Sequence, residues 1–136
     1  MKTFFDSLYY YLNGFYGTDL DSYLYNTDPG YLLIGLVMVI CSLVICAVFY
    51  YWIAPVRKQT FFWLVCAAAN AGINFLVALG YTMTPLINNE VDNPWTYLDC
   101  VMFGFTNIIW SFVFYVVWSL FIKWGSIAKY VPFQKF

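Results

Sequence analysis

The side chains that could do chemistry are few and of restricted type. The 136-residue chain has seven Asp and Glu, six Lys and Arg, four Cys and no His. Without histidine there is no imidazole base, and the common zinc spacings cannot be assembled. No glycine-rich phosphate loop occurs. Cys41, Cys46, Cys66 and Cys100 include no CxxC pair, and three of them lie in apolar stretches. They read as small buried hydrophobes, neither a metal set nor a disulfide framework. The run Asn88-Asn89-Glu90-Val91-Asp92-Asn93 offers oxygen ligands for calcium. It lacks the EF-hand spacing and glycine, so a solvated acidic loop is expected. Asp99 is the one carboxylate at the mouth of a long apolar stretch, and the sequence offers it no partner. The expectation is a non-enzyme with no catalytic residues, no metal and no cofactor. A net charge of -1, with Arg57-Lys58 as the longest basic run, also excludes a nucleic-acid partner.

What remains is neutral. Asn70 and Asn74 are four residues apart and share one helix face, with Ala67, Ala68, Ala71 and Gly72 around them. Ala68 and Gly72 form a small-xxx-small pair, which lets another helix approach while the amides hydrogen-bond across the contact. Gly104, Asn107 and Ser111 make a similar face that continues to Tyr115 and Trp118, and Gly35, Ser42 and Cys46 make a third. These faces either satisfy one another inside one bundle, or stand at a subunit interface, around a pore or in a ligand pocket.

The elements that position them are apolar helices. The chain is 63% hydrophobic, 24% aromatic and only 10% charged, against roughly 25% charged in a soluble domain. No charged residue occurs from Tyr31 to Ala54, from Thr60 to Tyr81, or from Cys100 to Ile122. Each stretch is long enough to cross a bilayer. The expected fold is an all-α integral membrane protein with three transmembrane helices, residues 31–136, preceded by an N-terminal segment, 1–30. Phe4, Phe5, Leu8, Leu12 and Phe15 recur there at helical spacing, with Thr3 and Asp6 placed to cap the start. This predicts a short amphipathic helix lying flat in the outer interface, its apolar face (Phe4, Phe5, Leu8, Leu12) available to lipid or to a partner. No basic region leads into a short apolar core with a cleavage site, so it is not read as a signal peptide. The Asp28-Pro29-Gly30 turn should end it.

Five of the six basic residues (Arg57, Lys58, Lys123, Lys129, Lys135) fall on one side of three spans, and all seven acids fall on the other. Lys and Arg near span ends stay cytoplasmic, so the N-terminus is expected outside and the C-terminus in the cytoplasm. Lys2 dissents. Trp52, Trp63, Tyr81, Trp95, Tyr97 and Trp124 sit where aromatic belts form. No ionisable group lies inside any span, which disfavours an ion-coupled carrier. The leading expectation is a structural or assembly subunit of a larger envelope complex for secretion, transport or defence. Its partners would be the bilayer and other membrane subunits, or further copies of itself. The alternative is a small homo-oligomeric channel lined by neutral polar residues such as Asn70, Asn74 and Asn107.

Overall fold

A computed structural model describes residues 1–27, 29–53, 58–92, 94–126 and 131. Among these, every regular element is helical. The elements are α1 (Lys2–Tyr10), a 3-10 turn (Asn13–Phe15), α2 (Thr18–Asn26), α3 (Gly30–Val48), α4 (Gln59–Ile87) and α5 (Tyr97–Ile122). A π-helical turn, Phe49–Ile53, extends α3, and a 3-10 turn, Lys123–Gly125, extends α5. With these turns the three long helices have 24, 29 and 29 residues and are apolar enough to cross a membrane. At 1.5 Å per residue they measure roughly 36–44 Å, more than the hydrocarbon thickness of a bilayer.

The helices run antiparallel in chain order and turn one stripe each inward. On α4 it is Trp63, Ala67, Asn70, Asn74, Ala78, Thr82 and Pro85. On α3 it includes Gly35, Met38, Ser42 and Cys46, and on α5 Asn107, Ser111, Tyr115 and Ser119. Spacings of three and four keep each stripe on one face. Apart from Trp63 and Met38, these stripe residues are small or polar, and many large apolar side chains point outward: Leu76 is 67% and Phe121 72% exposed. A water-soluble bundle sorts its residues the other way.

Element boundaries differ from expectation at two places. Helix α4 does not stop at Tyr81 but continues through Pro85 to Ile87. Thr82 and Thr84 hydroxyls bond back to the Ala78 and Gly80 carbonyls in that last stretch. Helix α5 starts before Cys100, because Thr96 and Asp99 form a capping box: Asp99 N–H donates to Thr96 Oγ1 at 3.3 Å, and Thr96 N–H to Asp99 Oδ2 at 3.0 Å. Asp99 therefore does have a partner. Ala54, the expected end of the first span, lies outside the described residues with Pro55, Asp28, Asn93, Arg57, Lys129 and Lys135.

The N-terminal segment departs furthest from a single helix lying flat. It breaks at Tyr11–Leu12 into α1 and α2, and both fold onto one end of the bundle. Met1 is the N-cap of α1, without a side-chain bond, so Thr3 and Asp6 do not cap it. Phe5 and Tyr9 are the buried pair of α1, and Leu20 and Leu24 those of α2. Phe4 and Phe15 face outward at 56% and 58% exposure, while Leu8 and Leu12 are half-buried. The inward face thus pairs Phe5 with Tyr9, one turn on, and leaves Phe4 and Phe15 outside it.

Two glycines make this seating possible. Gly30 has φ +42°, and a Cβ there would meet the Leu24 carbonyl, so the α2–α3 corner needs glycine. At Gly35 the Phe5 ring occupies the place where a Cβ would stand. Gly35→Leu should therefore push α1 off the bundle and cost about 1–3 kcal/mol in detergent unfolding titrations. Gly72→Leu should be harmless to the isolated chain, because nothing lies within 4 Å of a Cβ there. Equal unfolding midpoints for Gly35→Leu and the wild type would mean that α1 is not seated on α3.

Candidate functional site

A ladder of polar side chains runs along the bundle axis and joins the seated N-terminal head to the three long helices. At the head, the Tyr31 hydroxyl donates to Asp21 Oδ1 at 2.5 Å and lies 2.8 Å from the Tyr16 hydroxyl. Tyr16 in turn reaches the Tyr9 carbonyl at 3.4 Å. Tyr9 stacks on Tyr31 with ring centroids 4.8 Å apart, and Phe103 closes against both. The Tyr9 hydroxyl then donates to Asn107 Oδ1 at 2.5 Å. Burial pushes the Tyr9 and Tyr16 hydroxyls above the ordinary tyrosine range, so both remain protonated at neutral pH.

From Asn107 the ladder passes between helices. Asn107 Nδ2 donates to the Asn74 carbonyl at 2.9 Å. Asn74 Nδ2 donates to Asn70 Oδ1 at 3.0 Å and to the Asn70 carbonyl at 2.9 Å. Asn70 Nδ2 donates to Ser42 Oγ at 3.0 Å and to the Ser111 carbonyl at 3.1 Å, tying α4 to α3 and α5 at one level. Two turns further on, Ser119 Oγ accepts from Trp63 Nε1 at 3.0 Å and lies 3.4 Å from Cys46 Sγ. Ser42, Asn70, Asn74, Asn107, Ser111 and Ser119 are each 0% exposed. Asn74 Oδ1 is the one buried amide oxygen in the ladder with no donor.

Of the residues flagged from sequence, Asn70, Asn74, Asn107 and Ser111 meet in this ladder. Gly104 is buried on α5, where Phe75 covers it with ring atoms 2.6 Å from a Cβ position. Ala68 and Gly72 stand apart: both are exposed on the outside of α4. Ala68 borders a shallow apolar groove with Leu64, Ala67, Ala71, Ile108 and Phe112. The small-residue pair and the amide face are therefore two different faces of α4. Sequence reading missed Tyr9, Tyr16 and Tyr31. Four-residue spacing from Phe5 to Tyr9 was available, but tyrosine in an aromatic N-terminal segment reads as an interface residue.

The head also has two open clefts, one on each side of α2. One of about 290 Å³ is lined by Thr3, Asp6, Ser7, Asp21 and tyrosines 10, 11, 25 and 31. The other, of about 490 Å³, is lined by Asp19, Ser22, Asn26, Glu90 and Asp92 among others. In the calcium-like run, Asn88 Nδ2 bonds Glu90 Oε1 at 3.3 Å. No group of three or more His, Cys, Asp or Glu among the described residues is placed to hold a metal ion. All four cysteines are free thiols. No protein-family model, curated protein or solved structure matches the chain.

Two outcomes follow from these geometries. Asn70 ties three helices and Asn74 carries an unmet acceptor, so the two substitutions should rank unequally. Asn70→Leu should cost about 2 kcal/mol or more and Asn74→Leu about 1 kcal/mol or less, measured by unfolding in detergent. The reverse order would contradict the ladder.

The second concerns pH. Burial raises the Asp6 carboxyl above its ordinary value of 3.8, Lys2 opposes the shift, and Asp21 reinforces it. The folded state then holds this proton more tightly than the unfolded chain does. The ionised carboxylate costs stability at neutral pH, and the cost fades as pH falls toward 3.8. Asp6→Asn should raise the unfolding temperature at pH 7 and lose that advantage near pH 4. An unchanged difference across this range would place the strain elsewhere.

Proposed function

We propose that this chain is a multi-pass membrane subunit with its N-terminus outside and its C-terminus in the cytoplasm. It serves as a non-enzymatic assembly or anchoring component of a larger envelope complex. The carrying observation is that the polar interior is bonded within itself, the Asn74 Oδ1 acceptor excepted. Asn70, Asn74 and Asn107, the side chains that would line a wet path, are fully buried and bonded to one another or to neighbouring backbone. A pore whose lining is spent on internal hydrogen bonds, with one amide oxygen spare, has little left for hydrated ions. The outward arrangement of large apolar residues supports a lipid surround, and the clustering of basic residues supports the orientation.

Two surfaces remain for partners. The head offers acidic, tyrosine-walled clefts, and α4 offers the open Ala68–Gly72 face. Small residues on a lipid-facing helix allow close backbone approach by another helix. After mild-detergent purification, the mass of the intact particle should show other gene products in fixed ratio to this chain. Gly72→Leu should strip a helical partner while leaving the unfolding midpoint of the isolated chain unchanged. A homo-oligomer that conducts ions in planar bilayers, with conductance abolished by Asn74→Leu, would replace this reading with the channel.

A further inference from the structure

The inward stripe of α5 ends on a cation. Asn107, Ser111, Tyr115 and Ser119 follow one another at four-residue spacing, and Lys123 is the next position in the series. It is 1% exposed, and its Nζ has no hydrogen-bond partner. Among the described residues, the ring beside it is that of Trp124, 5.0 Å from Nζ. A ring face is a weak substitute for water around an ammonium group, and a buried unpaired charge is among the costliest arrangements in a protein. No side-chain carboxylate of this chain is near in sequence. All seven acids precede Cys100, and Asp99 is separated from Lys123 by roughly 36 Å of helix. Among the described residues no carboxylate pairs with it, which leaves the ammonium open to an anion from outside the chain.

We propose that Lys123 is the phosphate seat of a bound anionic phospholipid, taken from the leaflet at the C-terminal end of α5. A second feature of the same end fits the rest of that molecule. Val44, Ala47, Val48, Tyr51 and Trp52 line an apolar groove of about 310 Å³ on the outside of α3. The groove and the turn that carries Lys123 meet, since the Tyr51 hydroxyl lies 3.1 Å from where a Cβ on Gly125, two residues on, would stand. Trp52 and Trp124 are 85% and 60% exposed at this level, as side chains at the headgroup boundary are. The groove takes an acyl chain, and the flexible lysine stem lets the ammonium swing out to the phosphate beside it. A soluble anion would satisfy the ammonium and leave the groove empty. The pairing of the two favours a lipid.

This inference rests on the membrane reading above, and the experiment separates the two. The complete chain is extracted in mild detergent and delipidated. Phosphatidylglycerol, phosphatidylcholine or inorganic phosphate is then added, and unfolding temperature and native mass are recorded. Phosphatidylglycerol should raise the unfolding temperature and leave one retained lipid per chain, at least tenfold tighter than phosphatidylcholine. Lys123→Gln should abolish that preference, Lys123→Arg should keep it, and Val48→Trp should weaken lipid retention by filling the groove. Exposed Lys58→Gln should change nothing. Equal retention of both lipids, or an undiminished preference in Lys123→Gln, overturns the proposal. So does inorganic phosphate giving the full stabilisation alone. Should Lys123→Gln fail to fold, Lys123→Arg and Val48→Trp still decide. A chain recovered without detergent in the aqueous fraction would instead overturn the membrane reading, before any lipid is added.

Discussion

An amide buried among apolar helices depends on partners inside the protein, and here the constraint falls on Asn107. Its Nδ2 is taken by the Asn74 carbonyl on α4. Its Oδ1 would be left without a donor if the long helices were alone, and the Tyr9 hydroxyl supplies one from α1. An unpaired amide oxygen at this depth costs more than a normal hydrogen bond gains. The Tyr9 bond closes that oxygen and ties the N-terminal segment to the bundle. Once Tyr9 is there, Phe5 lands on Gly35 and Tyr31 stacks against it. Tyr16 and Asp21 then complete the hydroxyl pairs at the top.

The same requirement explains why the bundle is polar along its axis and apolar outside. In the membrane reading proposed above, lipid offers no hydrophobic reason for helices to associate, so small side chains and neutral hydrogen bonds must do it. Neutral groups suffice because none has to carry charge, and the two ends divide the ionised residues between them. The head keeps the acids in its clefts, while Lys123 closes the axial stripe at the other end. The interior therefore works as a fastening, and in the proposed reading the clefts, the outer face of α4 and the far mouth are what remains for recognition.

Much of this was legible from periodicity alone. Three charge-free stretches marked the long helices, and the four-residue spacing of Asn70 with Asn74 and of Asn107 with Ser111 marked two inward faces. Spacing failed where a side chain has two uses. Tyrosine serves equally as an interface anchor and as a buried donor, so Tyr9 and Tyr31 carried no distinct signal. Ala68 and Gly72 neighbour the amides in sequence, but a helix turns about 100° per residue, which puts them outside the contact. Asp99 has no long-range partner in the sequence pattern, and its partner is local: Thr96-x-x-Asp99 has the spacing of a capping box. Lys123 looked like an ordinary basic flank, and only its place on the stripe shows that it points inward.

The central claim is that the Tyr9 hydroxyl and the Asn107 amide hold the head on the bundle as a pair. The most direct test is a double-mutant cycle, Tyr9→Phe against Asn107→Leu, read from unfolding free energies in one detergent. A coupling of about 0.6–2 kcal/mol is predicted, the range for a hydrogen bond between groups shielded from water. Strictly additive single substitutions would mean that the two groups do not meet, and that the head is held by aromatic packing alone.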